Sequence, residues 1–260
     1  MSKKKLIIKG SVEPNVLSKS KKMIDTRNPL FSIITVCKNS EKTIERTIDS
    51  IRKNERKLFQ FIIIDGKSTD HTCEIIKNNL DIVDTYISES DKGLYDAMNK
   101  GLQYANGEFV IFINSDDWLE DNVLAKVSNA IHNNPGYDIY HGYITINKSD
   151  NSSTTVVGHQ TLPTSIPSYQ PASFVRKKSI LTNFWFDTKY KIAADFKFFK
   201  HLERQGYKFF NMNFCVTNFS LGGASSNLKL RLNELDQILS EFNYPKWLVW
   251  LLVLRLRITK

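Results

Sequence analysis

The sequence has few of the features that mark secreted or membrane-spanning proteins. It holds only three cysteines in 260 residues, Cys37, Cys73 and Cys215, with no CxxC pair. This spacing excludes a disulfide framework and a cysteine zinc site, and it is typical of a reducing compartment. No apolar run reaches the roughly 20 residues that span a bilayer. The basic first residues are followed by only three apolar ones, too few for a signal peptide, so we expect a cytoplasmic protein.

Two common phosphate-binding fingerprints are also missing. Neither GxGxxG nor GxxxxGK[S/T] occurs in the sequence. These glycine-rich loops form the dinucleotide site of Rossmann proteins and the P-loop of NTPases. The usual forms of both classes are therefore excluded, and any nucleotide has to be held by other groups.

The net charge of +9 is concentrated at the two ends of the sequence. Residues 1–30 hold eight Lys or Arg and two acids, and residues 244–260 hold four Lys or Arg and no acid. A nucleic-acid binder usually carries its basic patch on the folded face, whereas basic tails suit an anionic membrane surface. We therefore expect an anionic membrane surface as a partner and no nucleic acid. The alternative is that the tails are plain solubilising ends.

Strand and helix patterns alternate four times in the first 132 residues. Apolar runs rich in β-branched residues predict buried strands, and apolar spacings of three and four predict helices between them. Short connections between such elements imply a mostly parallel sheet. The predicted strands cover 31–37, 59–64, 85–88 and 108–113; the helices run from a Ser40 N-cap to about 53, from Ser68 or Thr69 to about 79, and over 93–105 and 119–132.

The second half of the sequence has a different pattern of apolar and polar residues. Alternating apolar and polar residues over 137–146 and 154–157 predict antiparallel strands. A segment with two prolines at 158–168 predicts a loop. Further strands are predicted at 171–175 and 209–220, and helices at 192–205, ending at Gly206, and at 228–242.

Polar side chains collect where three of the predicted parallel strands end. Neighbouring parallel strands bring their carboxyl ends to one edge, which is where ligands bind in open α/β sheets. The groups are rich in oxygen and include no His or Cys, which suits Mg²⁺ or Mn²⁺. A divalent ion would also offset the repulsion between these acids and a diphosphate. We predict a metal-dependent site for a nucleotide or phosphorylated ligand, formed by Thr35, Asn39, Asp65, Asn114, Asp116 and Asp117.

Each acid also has a purely structural interpretation. An Asp beside a Gly can form a turn, and an acid at a helix start caps the helix or meets its dipole favourably. Independent caps need not all fall at strand ends that bind ligands, so we favour function for the set. A turn or a cap remains the alternative for Asp65, Asp91, Asp116, Asp117 and Asp195.

Five ordered blocks carry a family resemblance. They read FSIITVCKN at 31–39, IIIDGKSTDHT at 62–72, SESDKGLYDAMNKG at 88–101, GEFVIFINSDDW at 107–118 and IAADFKFF at 192–199. Together they resemble the family 2 glycosyltransferases of the GT-A fold, over roughly residues 30–225. The nearest branch is that of the bacterial enzymes that build surface polysaccharides.

The resemblance implies an architecture and a division of the chain. The fold class is α/β, a GT-A Rossmann-like, mostly parallel sheet with helices on both faces and a smaller antiparallel acceptor-side portion. The glycosyltransferase domain covers 31–243, with a nucleotide-binding half at 31–132 and an acceptor half at 133–243. A basic N-terminal extension at 1–30 and a basic amphipathic helix at 244–260 flank it.

The resemblance also implies roles for individual residues. Thr35 and Asn39 line the nucleoside pocket, and Asp65 accepts a hydrogen bond from the uracil ring. Asp91 and Gly93 lie beside the nucleotide and the donor sugar. Asn114, Ser115 and Asp116 stand at the Asp-x-Asp position, where Asp116 holds Mn²⁺ or Mg²⁺ with support from Asp117. Gln170 faces the donor phosphates or the acceptor, and Asp195 is the catalytic base.

Two departures from the family pattern matter. The first position of Asp-x-Asp is Asn114, a neutral ligand that removes one charge from the metal site. The segment around Gln170 has Tyr169 where the branch commonly has His. Metal affinity and phosphate contacts are therefore the features in which this chain is expected to differ from its relatives.

The last residues complete the functional hypothesis. Eight apolar residues at 247–254 include two Trp and are followed by Arg255 and Arg257, which suits an interfacial helix. The alternative is a helix docked on the core or on a second subunit. We expect an inverting transferase at the inner face of the cytoplasmic membrane. It would move a sugar from a nucleotide-sugar, UDP-linked, to a saccharide or a lipid-linked saccharide. The rival hypotheses are a sugar-1-phosphate nucleotidyltransferase and a membrane-associated scaffold with a decayed donor site.

Overall fold

The structure is a computed structural model of the chain. It describes residues 7–9, 28–147, 152–158, 166–178, 185–221 and 227–247. The predicted loop at 158–168 and the predicted helix at 244–260 therefore lie largely outside the described residues.

Ten strands and six helices make up the described fold. The strands are β1 Ile7–Lys9, β2 Phe31–Cys37, β3 Phe59–Asp65, β4 Thr85–Ser88, β5 Phe109–Phe112, β6 Trp118–Leu119, β7 Ile139–Asn147, β8 Ser153–Val156, β9 Ser173–Arg176 and β10 Phe209–Ser220. The helices are α1 Ile44–Arg52, α2 Thr72–Asn78, α3 Leu94–Leu102, α4 Val123–Asn133, α5 Ala194–Arg204 and α6 Leu228–Glu241. Two short 3₁₀ turns cover Arg56–Leu58 and Gln170–Ala172.

One mixed sheet joins all the strands. Its order is β1-β4-β3-β2-β5-β9-β7-β10-β6, with β8 paired to β7. The five strands from β1 to β5 in that order are parallel, and antiparallel pairing begins where β5 meets β9. The predicted α/β fold, a mostly parallel sheet with a smaller portion that contains antiparallel strands, is confirmed, although β7 and β10 in that portion pair in parallel.

Helices cover both faces of the sheet because the central strands are apolar on both sides. Along β2, Ile34 and Val36 belong to one core and Ile33 and Cys37 to the other, as the alternation of side chains along a strand requires. The first core includes residues of α3, α5 and α6, and the second includes residues of α1, α2 and α4. Burial on both faces explains why β2, β3 and β5 are continuous apolar runs.

Three helix starts in the first 132 residues differ from the prediction by more than one residue. The first helix begins after Thr43 rather than at Ser40, because the Ser40 carbonyl closes a turn by accepting from the Thr43 and Ile44 amides. The next helix begins at Thr72, because Ser68 and Thr69 bond to groups of neighbouring strand ends instead of capping it.

The third incorrect start lies just after β5. Residues Trp118–Leu119 form β6, which pairs with β10, and α4 begins only at Val123. The strand predicted at 171–175 also starts later, at Ser173, because the residues before it form a 3₁₀ turn. Tertiary pairing with β10 overrode the local helical pattern at 118–119.

The flanking segments are described only in part. Within the predicted extension at 1–30, Ile7–Lys9 adds a parallel edge strand against Thr85–Ile87 of β4. In the described part of the chain, no helix combines the length and the apolar character needed to cross a bilayer. The sheet continues across residue 132 without a break, since β6 pairs with β10, so the division of the domain into two halves stays a prediction.

Candidate functional site

The carboxyl ends of β3, β2 and β5 lie side by side at one edge of the sheet. β2 is the middle strand, with Cys37 opposite Asp65 of β3 and Ile34 opposite Phe112 of β5. The segments that follow these strands therefore meet above β2. Asn39, Asp65 and the residues from Asn114 to Asp117 are brought together as predicted, on three different segments of this edge.

The segment after β2 is tied to the segment after β3. The Asn39 side-chain oxygen accepts from the Thr69 amide at 2.9 Å, and the Asn39 amide donates to the Ser68 hydroxyl at 2.8 Å. The Ser40 amide donates to the Thr72 hydroxyl at 2.7 Å. Asn39 has a φ of 52°, a left-handed conformation that Asn tolerates better than most residues. These bonds hold the predicted nucleoside-binding segment in one conformation.

Asp65 is fully buried and its oxygens are already engaged by the protein. Its Oδ1 accepts from the Ser68 hydroxyl at 2.5 Å, and its Oδ2 accepts from the Ser88 hydroxyl at 2.6 Å and the Cys73 thiol at 3.3 Å. Burial raises the pKa of the Cys37 and Cys73 thiols, so both are protonated donors at neutral pH. The contact of Asp65 with a uracil ring stays a prediction, and it would require one of these donors to give way.

Asp91 lies over the turn that follows Asp65. A Cβ atom at Gly66 would collide with the Asp91 carboxylate, so glycine is what lets this acid approach the end of β3. The other Asp91 oxygen accepts from the Gly93 amide at 2.9 Å. Gly93 itself occupies the N-cap position of α3, with a φ of 123° that favours glycine. Asp91 was considered as the N-cap of this helix, but Gly93 holds that position and the Asp91 carboxylate bonds to the amide of Gly93 in the preceding loop.

The segment after β5 carries acids that cap no helix. Asp117 lies six residues before α4, whose N-cap is Asn122, which excludes the capping alternative for Asp116 and Asp117. Asp117 is fully buried, and its Oδ1 accepts from the Ser220 amide at 3.1 Å. Its Oδ2 has no hydrogen-bond partner among the described residues. Burial, and then the charge of Asp116, raise the pKa of Asp117.

Asp116 is partly buried and is fixed through its backbone rather than its carboxylate. Its carbonyl oxygen accepts from the Arg46 guanidinium and from the Ser220 hydroxyl, each at 2.7 Å. Burial raises the pKa of the Asp116 carboxyl, and the charge of Arg46 opposes that rise. The carboxylate is therefore held in place beside a cation while its oxygens remain available to a ligand.

The oxygens of this segment fit a hard divalent cation. The Asn114 Oδ1 is buried without a hydrogen-bond partner in the described part of the chain, like the Asp117 Oδ2. Buried polar atoms of this kind normally have a partner, and carboxylate and amide oxygens are the ligands that Mg²⁺ and Mn²⁺ prefer. The described residues contain no group of three or more His, Cys, Asp or Glu side chains that could by themselves hold a metal ion. Two carboxylates and one amide are thus what the chain offers, and Ser115 is engaged by the Ser40 hydroxyl at 2.8 Å.

Two further predicted residues lie beneath this edge. Thr35 is fully buried within β2, and its hydroxyl oxygen has no partner among the described residues. Gln170 is buried and donates its side-chain amide to the Phe112 carbonyl at 2.8 Å. Gln170 thereby attaches the second half of the chain to the end of β5, and its contact with donor phosphates stays a prediction.

Asp195 lies in the first turn of α5, but Ala193 holds the N-cap position. The carboxylate is partly buried and accepts from the Tyr95 hydroxyl at 2.9 Å. Burial raises the pKa of Asp195, while the Tyr95 hydrogen bond and the Phe196 amide oppose the rise. A carboxyl of this kind can accept a proton from a bound hydroxyl group.

Three residues that contact Asp195 or the segments packed around it were assigned no role from the sequence. Tyr95 binds its carboxylate directly, and Glu234 accepts from three backbone amides at the start of α5. Asn99 forms two reciprocal bonds with the backbone of Phe186, at 2.9 and 3.0 Å. Tyr95 and Asn99 are part of the block at 88–101, which was the only available signal. Glu234 sits in an ordinary amphipathic pattern and gave none.

Solved structures with the same fold are known. Staphylococcus aureus TarS 1–349 in complex with UDP-GlcNAc superimposes with a TM-score of 0.63 at 19% identity, covering 82% of this chain and 71% of that one. The mannosyltransferase PcManGT from Pyrobaculum calidifontis, in complex with GDP-Man and Mn²⁺, gives a TM-score of 0.60 at 16% identity, covering 83% and 64%. These likenesses define the fold as that of the GT-A glycosyltransferases.

The sequence model of glycosyl transferase family 2 matches residues 32–222, and the chain belongs to this family. The Mycobacterium bovis PGL/p-HBAD biosynthesis glycosyltransferase is 32% identical over 126 residues, 47% of this chain and 49% of that protein. The Escherichia coli UDP-Glc:alpha-D-GlcNAc-diphosphoundecaprenol beta-1,3-glucosyltransferase WfgD is 30% identical over 122 residues, 46% and 48% of the two chains. The match with each of these relatives thus spans about half of its length.

Proposed function

We propose that this protein is an inverting glycosyltransferase that moves a sugar from a UDP-sugar to a saccharide or a lipid-linked saccharide in surface polysaccharide synthesis. One observation carries the proposal. In a chain of glycosyl transferase family 2, the Asn114 Oδ1 and the Asp117 Oδ2 are buried at one strand end without a hydrogen-bond partner among the described residues, and the partly buried Asp116 lies between them in the sequence. Such unpaired oxygens suit a ligand that brings positive charge.

The donor site is assigned to the ends of β2, β3 and β5. Asp116 would hold Mn²⁺ or Mg²⁺, with Asn114 and Asp117 supporting it. A divalent ion bound there would neutralise charge that develops on the leaving diphosphate. UDP-GlcNAc in TarS and Mn²⁺ in PcManGT support this choice of ligands. The remaining donor-binding residues of the proposal are Thr35, Asn39, Asp65, Asp91, Gly93, Ser115 and Gln170.

Asp195 is assigned the role of catalytic base. An acceptor hydroxyl is a poor nucleophile until a positioned carboxylate removes its proton. As Asp195 takes that proton, the hydroxyl oxygen bonds to the anomeric carbon, and the bond from that carbon to the diphosphate breaks with its electrons leaving on the diphosphate. A single displacement inverts the anomeric centre and needs no sugar bound covalently to the enzyme.

The acceptor and the location follow from charge and from the relatives. WfgD acts on a diphosphoundecaprenol-linked sugar, by its name. The basic segments at 1–30 and 244–260 would hold the protein at the anionic inner face of the cytoplasmic membrane. We expect a chain lacking 244–260 to float with phosphatidylglycerol vesicles less than the full chain does. Equal flotation, with both proteins equally folded, would contradict the assignment of this segment as an anchor.

A panel of nucleotide-sugars tests the proposal. The purified protein with Mn²⁺ is expected to bind at least one UDP-sugar and to hydrolyse it slowly. Asp116→Ala should weaken that binding at least about a hundredfold, because a charge-paired ligand contact is lost. The matched control is Asp121→Ala, since Asp121 is an exposed acid nearby whose carboxylate pairs with Lys53.

Isothermal titration calorimetry measures the binding of the nucleotide-sugar to each variant. Thermal unfolding confirms that both variants are folded at the temperature of the titration. Absence of binding to all UDP-, GDP- and dTDP-sugars would overturn the transferase proposal and favour a scaffold with a decayed donor site. Equal affinities for Asp116→Ala and Asp121→Ala would leave a transferase but remove Asp116 from its donor site.

A further inference from the structure

Tyr95 connects the two halves of the proposed active site. It lies in the first turn of α3, two residues after Gly93 and its bond to Asp91. Its ring is buried, with 4% of its surface exposed, and its hydroxyl donates to the Asp195 Oδ1 at 2.9 Å. The two residues are 100 positions apart in the chain. One short helix thus contacts both the end of β3, through the loop that precedes it, and the proposed base.

The ring of Tyr95 has little freedom to move. It packs on Phe186 with ring centroids 5.3 Å apart, and Phe186 in turn packs on Phe112 at 5.2 Å. The backbone of Phe186 is bound on both sides by the Asn99 side chain, one turn after Tyr95 in α3. The hydroxyl therefore reaches Asp195 from a rigid support that includes the last residue of β5.

The other partner is equally constrained. Glu234 of α6 is 5% exposed and accepts from the amides of Lys191, Ile192 and Ala193 at 2.6, 3.0 and 2.9 Å. These amides lead into α5, so Glu234 fixes the start of the helix that carries Asp195. Because Tyr95 and Asp195 are both constrained, the hydrogen bond between them orients the carboxylate and stabilises its ionised form.

We propose that Tyr95 is a positioning residue for Asp195, whose donated hydrogen bond orients the carboxylate and favours its ionised, proton-accepting form. The inference rests on the proposed function, in which Asp195 is the base. Tyr95 touches neither the donor nor the reacting atoms in this proposal, since it acts through Asp195. Its buried hydroxyl has the Asp195 carboxylate as its hydrogen-bond acceptor.

The charges around this pair set the direction of the expected effect. Burial raises the pKa of Asp195, and Tyr95 and, to a smaller extent, the Arg231 guanidinium of α6 oppose the rise. Glu234 faces Tyr95, whose own pKa is raised well above its usual value, first by burial and then by Asp195. Arg231 also faces Tyr169, next to Gln170. Loss of the Tyr95 hydroxyl removes a donor to the ionised form, so the pKa of Asp195 should rise.

The test is Tyr95→Phe, which keeps the ring and removes only the hydroxyl. Its control is Tyr190→Phe, since Tyr190 is 1% exposed and donates to a different carboxylate, Glu241, at 2.6 Å. Both variants lose one buried tyrosine hydroxyl near the same helix. Thermal unfolding measures the loss of stability that both variants suffer from deleting a tyrosine hydroxyl. Any change in the titration or activity of Tyr95→Phe beyond that of Tyr190→Phe is then due to the lost contact with Asp195.

The first readout is the titration of Asp195 itself, followed in protein labelled with ¹³C at aspartate carboxyls and assigned with Asp195→Asn. It requires no donor or metal. Tyr95→Phe should move this titration to higher pH, and Tyr190→Phe should leave it where it is in the unmodified protein. An unchanged titration in Tyr95→Phe would overturn the inference.

The second readout is the pH dependence of hydrolysis of whichever nucleotide-sugar the panel identifies. In Tyr95→Phe the rate below the midpoint should fall about tenfold relative to the rate above it, since the ionised form of Asp195 loses a hydrogen bond and becomes less populated below the raised midpoint. A profile matching that of Tyr190→Phe would overturn the inference. If Asp195→Asn retains full activity, the assignment of the base fails instead, and the two failures are distinguishable.

Discussion

The ends of β3 and β5 lie on either side of β2, yet the polar oxygens at the two ends differ in whether the protein supplies their hydrogen-bond donors. At the end of β3, Asp65 is fully buried and surrounded by uncharged donors from Ser68, Cys73 and Ser88. At the end of β5, the Asp117 Oδ2 and the Asn114 Oδ1 are buried without a partner among the described residues. Both places were predicted to bind the donor, and only one presents unpaired buried oxygens.

The difference separates Asp65, a carboxylate whose oxygens are bonded within the fold, from Asp117, a carboxylate with one buried oxygen that lacks a partner among the described residues. A buried acceptor whose donors come from the protein contributes to stability, and removing it strands those donors. A buried acceptor without a donor destabilises the protein until something supplies positive charge. An aspartate therefore stabilises the fold at the end of β3 and destabilises it after β5, although only β2 lies between the two strands.

The largest expected effect concerns the stability contributed by Asp65. Asp65→Asn should lower the free energy of unfolding by about 3 kcal/mol, because an amide nitrogen would face hydroxyl and thiol donors in a buried site. Asp116→Asn should change it by less than about 0.5 kcal/mol, since burial already raises the pKa of Asp116 and its carboxylate holds no other element in place. Urea unfolding in metal-free buffer measures both.

Equal losses of stability in these two variants would contradict the difference between the two strand ends, because they would show that the end of β5 is held by its acids too. A loss confined to Asp65→Asn would support it. The same samples can be titrated with a UDP-sugar, which separates weak binding that follows from partial unfolding from weak binding that follows from a missing ligand.

A smaller effect is expected from restoring the acid at the first position of the metal segment. Asn114→Asp should tighten Mn²⁺ binding about tenfold, because a third carboxylate replaces an amide ligand. Without metal the same variant should be about 1 kcal/mol less stable, since Asp116 and Asp117 lie beside the added charge. Calorimetry with Mn²⁺ and thermal unfolding with and without the ion measure the two effects.

Asn106→Asp is the matched control, because Asn106 is exposed and precedes β5 at the opposite edge of the sheet. It should alter neither Mn²⁺ affinity nor stability by a measurable amount. Unchanged Mn²⁺ affinity in Asn114→Asp would indicate that Asn114 is not a ligand, and the metal would then depend on Asp116 and Asp117 alone.

Much of the parallel half of the fold was predictable from the sequence. The strands β2, β3 and β4 were placed to within a residue, because a strand buried on both faces needs a continuous apolar run that is visible locally. Helix starts were less predictable. The side chains of Ser40 and Ser68 could cap a helix locally, but the Ser40 hydroxyl bonds to the Ser115 hydroxyl and the Ser68 hydroxyl accepts from the Asn39 amide instead. A cap and a long-range hydrogen bond use the same oxygen, and the local pattern does not show which one forms.

The family and the identity of the acids at the strand ends can be read from the sequence alone, because ordered blocks and apolar runs are local properties of the chain. Which of these acids have hydrogen-bond donors depends on the packing of the elements. Asp65 draws its donors from three segments, and Asp195 meets Tyr95 across 100 positions of the chain. Hydrogen bonds between segments far apart in sequence depend on how the elements pack, and that packing separates a structural carboxylate from one that can bind or react.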